Sequence, residues 1–233
     1  GVKLLIISNS HNPVGRVWTK EELTRVGNLC LQYGVTVLSD EIHSDLIFAP
    51  CRHTHIASLC AEGQRCITLI APTKTFNIAG LSTSAAITPD PAAREALRTE
   101  LGRYHVDQGN IFGTAALIAA YNEGEEWLGQ MLDYVHGNME FTVRFLAEHL
   151  PEIRTAIPEG TYLMWLDLRG LGLGHEELLR FMAREAGVGL NDGAAFGVQG
   201  RGFMRMNMAT SRTLIKTALL QIEAAWRSRE NRH

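Results

Sequence analysis

The stretch KLLIISNSHNPVGRVWTKEELTRVGNLCLQYGVTVLSD, residues 3–40, decides the fold. Its opening KLLIIS (3–8) is a short apolar run of the kind buried on both faces of a parallel sheet. Thr19 and Glu22 stand three apart in the capping-box pattern, in which each side chain satisfies the other's backbone N–H, so a helix starts there. That helix runs to about Tyr33, and Gly34 falls where a chain leaving a helix needs a left-handed residue. VTVLSD (35–40) reads as the next strand. Strand, helix and strand in this length predict a right-handed βαβ unit.

Working outward, CITLIAP (66–72) and TSAAIT (83–88) extend the sheet. From Pro91 the pattern turns helical, with a long stretch from about Glu125 to Leu150 that Pro151 ends. Beyond it come a strand TYLMWLDL (161–168), a helix over 175–186, a strand FMRMNM (203–208) and a final helix over 211–226. The expectation is an α/β protein: a mostly parallel sheet over residues 1–138 and a small α+β domain over 139–233. No repeat interrupts this order.

Composition narrows the function. With 233 residues, 45% apolar and 20% charged, the chain can bury a sizeable core, which excludes disorder, collagen-like sequence and a disulfide-stapled mini-domain. A net charge of −3 argues against a nucleic-acid footprint, which shows as a basic excess gathered on one face. The longest apolar run, near residues 111–121, is too short to span a bilayer. Cys30, Cys51, Cys60 and Cys66 form no CxxC pair, which fits a reduced, cytoplasmic protein. The chain opens at Gly1 directly into a strand, without a signal peptide, and so reads as a piece of a longer protein.

In open α/β sheets ligands sit beyond the carboxyl ends of the strands, and three such ends carry polar residues that a plain turn does not need. The first leads into SNSHNPVGRVW (8–18) with Asn12. The second ends in SDEIHSD (39–45), with Asp40 and His43. The third ends in APTKTFNIAGL (71–81), with Lys74 after the strand and Asn77 and Gly80 shaping the exit. Only four lysines occur among 22 basic residues. An ammonium directly after a buried strand either snorkels to water or has its pKa lowered, and a desolvated amine is what covalent carbonyl chemistry uses. The alternatives are a surface-loop lysine at 74 and a simple turn cap at Asp40.

Taken together and in order, SNSHNPVGRVW, SDEIHSDLIF (39–48), APTKTFNIAGL and RMNMATSR (205–212) resemble the pyridoxal-phosphate enzymes of aminotransferase fold type I. Within them they resemble most the cystathionine β-lyase-like (MalY/PatB) carbon–sulfur lyases. The resemblance spans essentially the whole chain. It implies pyridoxal 5′-phosphate as cofactor, with Lys74 as its covalent anchor and the general base at the substrate Cα. It implies that Asp40 pairs with the pyridine nitrogen, Asn12 with the ring 3′-oxygen and Thr73 with the phosphate. His43 stands where many relatives have tyrosine, in the DEIH form that favours the lyase branch. Arg205 is implied for the substrate carboxylate, with Arg212 as a weaker alternative. The resemblance also implies a homodimer of the full-length protein. Two features depart from the family: Ala71 replaces a familiar serine, and no arginine follows Lys74 at the distance where a phosphate-binding one is common. The family's first part, with its glycine-containing phosphate loop, stacking aromatic residue and dimer-crossing tyrosine, is not in this sequence.

Other patterns read as structure. GLGLG (170–174) lacks dinucleotide spacing and is expected to be a turn. His53 and His55 have no evident carboxylate or cysteine partner, so they are expected to be surface histidines, with no metal centre. Met204, Met206 and Met208 alternate with Arg205 and Asn207 as core residues of a half-buried strand. GNIFGTAA (109–116) resembles a family segment near the subunit interface, and is equally a plain helix entrance.

The function implied is α,β-elimination of a cysteine-type amino acid to thiol, pyruvate and ammonia. A class I/II aminotransferase is the alternative, using the same lysine, aspartate and arginine. A catalytically inactive fragment or protein-binding remnant is the third reading.

Overall fold

The computed structural model describes residues 1–107 and 109–231. The chain divides into two compact units, with the changeover inside one long helix at Met131–Leu132. Residues 159–161 belong with the first unit and 13–15 with the second.

In the first unit, β1 (Leu4–Ser8), α1 (Lys20–Gln32), β2 (Thr36–Asp40) and β3 (Cys66–Ile70) follow in order. The sheet order is β1-β2-β3-β4, with β4 spanning Ala85–Ile87. The β1–β2 and β2–β3 pairs are parallel, whereas β4 joins β3 antiparallel as a short edge. The capping box at α1 is complete: Glu22 N–H donates to Thr19 Oγ1 at 3.2 Å, and Thr19 N–H donates to Glu22 at 3.0 Å. Gly34 has φ +62°, the left-handed geometry expected of it. Leu23 and Cys30 of α1 pack with Ile7, Val37, Ile56 and Cys66 in one core cluster, flanked by Leu5, Trp18 and Val26.

One expectation fails at β1. KLLIIS reads as covered on both faces, yet Leu4 and Ile6 are 45% and 65% exposed. Successive side chains of a strand point to opposite faces, and α1 covers only the Leu5/Ile7 side. The unit continues through a one-turn helix α2 (Pro72–Thr75), then α3 (Pro91–Arg103), α4 (Ile111–Glu123) and the start of α5 (Glu125–His149).

In the second unit, β5 (Leu163–Asp167), β6 (Asn191–Asp192) and β7 (Phe203–Asn207) form an antiparallel sheet of order β5-β7-β6. Met204, Met206 and Met208 are buried, as the alternation predicts, and pack in the unit that contains Leu146, Leu166, Ile215 and Leu219. The last helix, α7 (Arg212–Glu230), is capped by Ser211. Asn138 of α5 is fully buried and fully used. Its Nδ2 donates to Met208 O at 3.0 Å and Thr210 O at 2.9 Å, and its Oδ1 accepts from Arg212 Nε at 3.0 Å. A buried amide needs this satisfaction to be tolerated. The contact also fixes Arg212 as a tie between α5 and α7.

The helix expected over 175–186 is in two parts: α6 (His175–Arg180), then one π-turn over Phe181–Glu185. Ala186 N–H reaches back five residues to Phe181 O at 2.9 Å. The widened turn lets Phe181 and Met182, adjacent in sequence, both reach the core at 0% and 2% exposure. GLGLG is a turn as expected, with Gly172 at φ +69°. Among the described residues no helix is long and apolar enough to cross a membrane.

Candidate active site

Parallel register brings the carboxyl ends of three strands of the first unit to one edge. Ser8 pairs with Asp40, and Asp40 with Leu69. Each strand then turns into one of the three polar segments singled out in the sequence.

After β1 the chain is held by its own backbone and by side chains of the unit. Asn9 N–H donates to Asp40 O at 2.8 Å, Asn9 Nδ2 to Thr54 O at 2.9 Å, and Trp18 Nε1 to Ser8 O at 2.9 Å. Asn12 follows in the turn, its N–H donating to Ser8 Oγ at 3.4 Å. Glu159 closes the loop by accepting Val17 N–H at 2.7 Å.

After β2, Asp40 Oδ1 accepts the Ile42 N–H at 3.2 Å, so one oxygen caps the turn. The other makes no hydrogen bond or ion pair among the described residues. His43 is buried, at 4% exposure. After β3, Pro72 opens α2, where the missing N–H is harmless. Thr75 Oγ1 donates to Asp45 Oδ2 at 2.9 Å, tying this turn to the one after β2. Phe76 packs edge-on against Tyr121 and tilted on Trp127, both with ring centroids at 5.9 Å. Burial, reinforced by the Asp45 charge, pushes the Tyr121 hydroxyl up to about 12. Gly124 is required by this packing, because a Cβ there would lie 2.4 Å from Phe76 Cε1. Asn77 takes the left-handed conformation, φ +54°, which asparagine tolerates better than most residues.

These anchors leave Lys74 in the middle of a rigid turn. Its side chain is exposed, and its ammonium has no hydrogen bond or ion pair among the described residues. Thr73 is 8% exposed, with its hydroxyl likewise unengaged among the described residues. The edge therefore offers an amine, a carboxylate oxygen and a hydroxyl that make no other hydrogen bond among the described residues.

Arg205 lies in the second unit, on β7 between Trp165 and Asn191 in the ladder. Its Nη2 donates to Asn191 Oδ1 at 2.9 Å, and its guanidinium stacks 4.8 Å from the Phe196 ring centroid. Burial lowers its pKa from the usual arginine value, and Tyr162 works the other way.

The aminotransferase class I and II family model matches residues 1–222. The chain belongs to that family. Among curated family relatives, the cystathionine β-lyase PatB of Bacillus subtilis is 42% identical over 225 residues, covering 96% of this chain and 58% of PatB. The MalY protein of Escherichia coli is 32% identical over 215 residues, covering 92% of this chain and 55% of MalY. The crystal structure of cystalysin from Treponema denticola, which contains a pyridoxal 5′-phosphate cofactor, superposes with TM-score 0.94 at 34% identity. It covers 97% of this chain and 58% of cystalysin. The PLP-bound C–S lyase of Staphylococcus hominis gives TM-score 0.86 at 33% identity, over 96% and 58% of the two chains. The chain thus spans little more than half the length of these relatives. The α/β, fold type I architecture expected from the motifs is the one these family structures carry.

The sequence reading missed two things around this edge. One is the Asp45–Thr75 bond, which joins residues 30 apart and has no local signature. The other corrects the reading of His53 and His55 as partnerless surface histidines. The His53 side chain is only 7% exposed, and both rings hydrogen-bond to Glu41, which is wholly buried. The carboxylate sits 12 and 14 residues upstream, beside the more conspicuous Asp40. Strand alternation turns the two neighbours to opposite sides, and only the fold brings the second back to the histidines.

Proposed function

We propose that the protein carrying this chain is a pyridoxal-phosphate-dependent carbon–sulfur β-lyase of the cystathionine β-lyase kind. The observation that carries this reading is the unengaged Lys74 amine on the same sheet edge as the open Asp40 oxygen, in a chain 42% identical to PatB. The donor set fits the cofactor: an amine for its aldehyde, a carboxylate for its ring nitrogen and the Thr73 hydroxyl for its phosphate. When bound, pyridoxal phosphate supplies an electrophilic aldehyde and a protonated ring that accepts the electron pair left at the substrate Cα.

The chain's own groups do the rest. Lys74 would hold the cofactor through its aldehyde carbon and would be the base that takes the substrate Cα proton. Asp40 holds a proton on the ring nitrogen by accepting its hydrogen bond. Asn12 donates to the ring 3′-oxygen, and His43, one turn beyond Asp40, belongs to the same cofactor-binding set. Arg205 receives the substrate α-carboxylate. Loss of the Cα proton and of the Cβ–S bond, with uptake of one water, converts the cysteine-type substrate to thiol, pyruvate and ammonia.

The reading includes a homodimer of the full-length protein, supported by Ile111 and Phe112 standing 79% and 72% exposed at the start of α4. It also includes a cytoplasmic location, supported by four free cysteines. The experiment is to incubate the full-length protein with cystathionine and measure pyruvate and free thiol, both of which are expected. Amino exchange that requires an added α-keto acid, without thiol release, overturns the lyase in favour of an aminotransferase. That second reading is favoured by the family's breadth, which includes the aromatic-amino-acid aminotransferase 2 of Thermococcus litoralis at 26% identity.

Arg205→Lys isolates the carboxylate contact. Lysine keeps the charge but loses the planar two-pronged geometry and the stacking on Phe196. KM for the amino-acid substrate is expected to rise roughly tenfold or more, with a smaller change in kcat, as befits loss of about 1.4 kcal/mol of binding. An unchanged KM removes Arg205 from the substrate site.

A further inference from the structure

A cluster outside the proposed cofactor site carries a separate inference. Glu41 follows Asp40 directly but is wholly buried. Its Oε1 is fixed by Ser39 Oγ at 2.8 Å and by the Ile56 N–H at 3.3 Å. Oε2 is thereby aimed between two imidazoles, accepting from His53 Nε2 at 2.9 Å and from His55 Nδ1. The His53 and His55 rings lie edge to face with centroids 4.6 Å apart, both turned toward this carboxylate. The three candidate ligand atoms lie within 4.8 Å of one another.

We propose that Glu41, His53 and His55 form a binding site for a divalent transition-metal ion of the zinc class. Two imidazole nitrogens and one carboxylate oxygen suit zinc, cobalt or nickel, whereas calcium and magnesium call for oxygen ligands. A tetrahedral ion about 2.0–2.1 Å from each ligand needs ligand atoms about 3.3 Å apart, so the His53–Glu41 pair opens by roughly half an ångström. His55 supplies the compliance and the entry path: its side chain is 57% exposed, against 7% for His53. The same exposure leaves the fourth coordination position to water, the three-ligand open form.

A metal ion takes the place of the protons that now link the two imidazole nitrogens to the Glu41 carboxylate. One feature limits affinity. His53 Nδ1 is buried without a hydrogen-bond partner among the described residues, and outer acceptors of this kind are typically worth about 10–100-fold in metal affinity.

A bound ion would tie the exit of β2 to residues 53–56, so it stabilises the first unit by binding the folded chain alone. The test is calorimetric titration of this chain, first stripped with EDTA, with zinc chloride, alongside thermal unfolding with and without zinc. Expected are one zinc per chain and a raised Tm. His55→Ala, an exposed position whose loss leaves the fold intact by circular dichroism, should weaken binding roughly tenfold or more and abolish the Tm shift. His53→Ala should do the same, and His136→Ala on the second unit should do neither. Cobalt in place of zinc should give a visible absorption band in the wild type that His55→Ala loses. Absence of zinc binding, or binding that His55→Ala and His136→Ala weaken alike, overturns the site.

Discussion

Lys74→Ala in the full-length protein is expected to lower elimination from cystathionine by about a thousandfold or more, and to remove the visible absorption of bound cofactor. On the proposed reading, two functions disappear with one amine. The covalent anchor for the aldehyde goes, and so does the base that moves the Cα proton, a contribution typically worth about 10²–10⁴-fold by itself. The fold should not notice. Lys74 is exposed and makes no hydrogen bond or ion pair among the described residues, and substitutions of that kind normally shift stability by no more than about 0.5 kcal/mol. The turn that carries it is held instead by Pro72, the Thr75–Asp45 bond and Phe76 packed on Tyr121 and Trp127. The measurement is therefore kcat together with the visible spectrum, set against an unchanged Tm. Retained colour, or retained turnover at an unchanged Tm, removes Lys74 from the chemistry and with it the proposed reaction.

What the sequence made legible is what local rules govern. Thr19 with Glu22 and the glycine at 34 bracket α1 because caps act within a few residues, and both are made as expected. Alternation at Met204, Met206 and Met208 sorted core from rim because a strand has only two faces. The three polar strand ends could be found because parallel strands must deliver their carboxyl ends to one edge. The rest depends on contacts between distant residues. Nothing near Asp45 announces Thr75, and nothing near His53 announces Glu41; each pair forms only after β2 and its neighbours are in place. The π-turn at Phe181 follows from core demand on two adjacent side chains, which helical periodicity does not encode. The uncovered face of β1 was equally invisible, since Leu4 and Ile6 are as apolar as Leu5 and Ile7.

Asp40 poses the sharper question, because its two oxygens have separate duties. Oδ1 caps the turn by accepting Ile42 N–H at 3.2 Å, while the second oxygen is unengaged among the described residues. A purely structural aspartate needs only the first. Asp40→Asn separates the two, since an asparagine carbonyl can still accept the Ile42 N–H while the charge is gone. On the proposed reading, the carboxylate holds the ring nitrogen protonated. An amide has no charge with which to do so, and the electron pair left at Cα loses its sink. The expected result in the full-length protein is a fall in kcat of about 10²–10³-fold, the scale seen when one preorganised electrostatic partner is removed, with Tm nearly unchanged. Asp40→Ala should add a loss of stability of about 1 kcal/mol from the missing cap, visible as a lower denaturant midpoint. If Asp40→Asn stays fully active while Asp40→Ala is merely less stable, the residue is a turn cap and the cofactor's ring nitrogen must find its proton elsewhere.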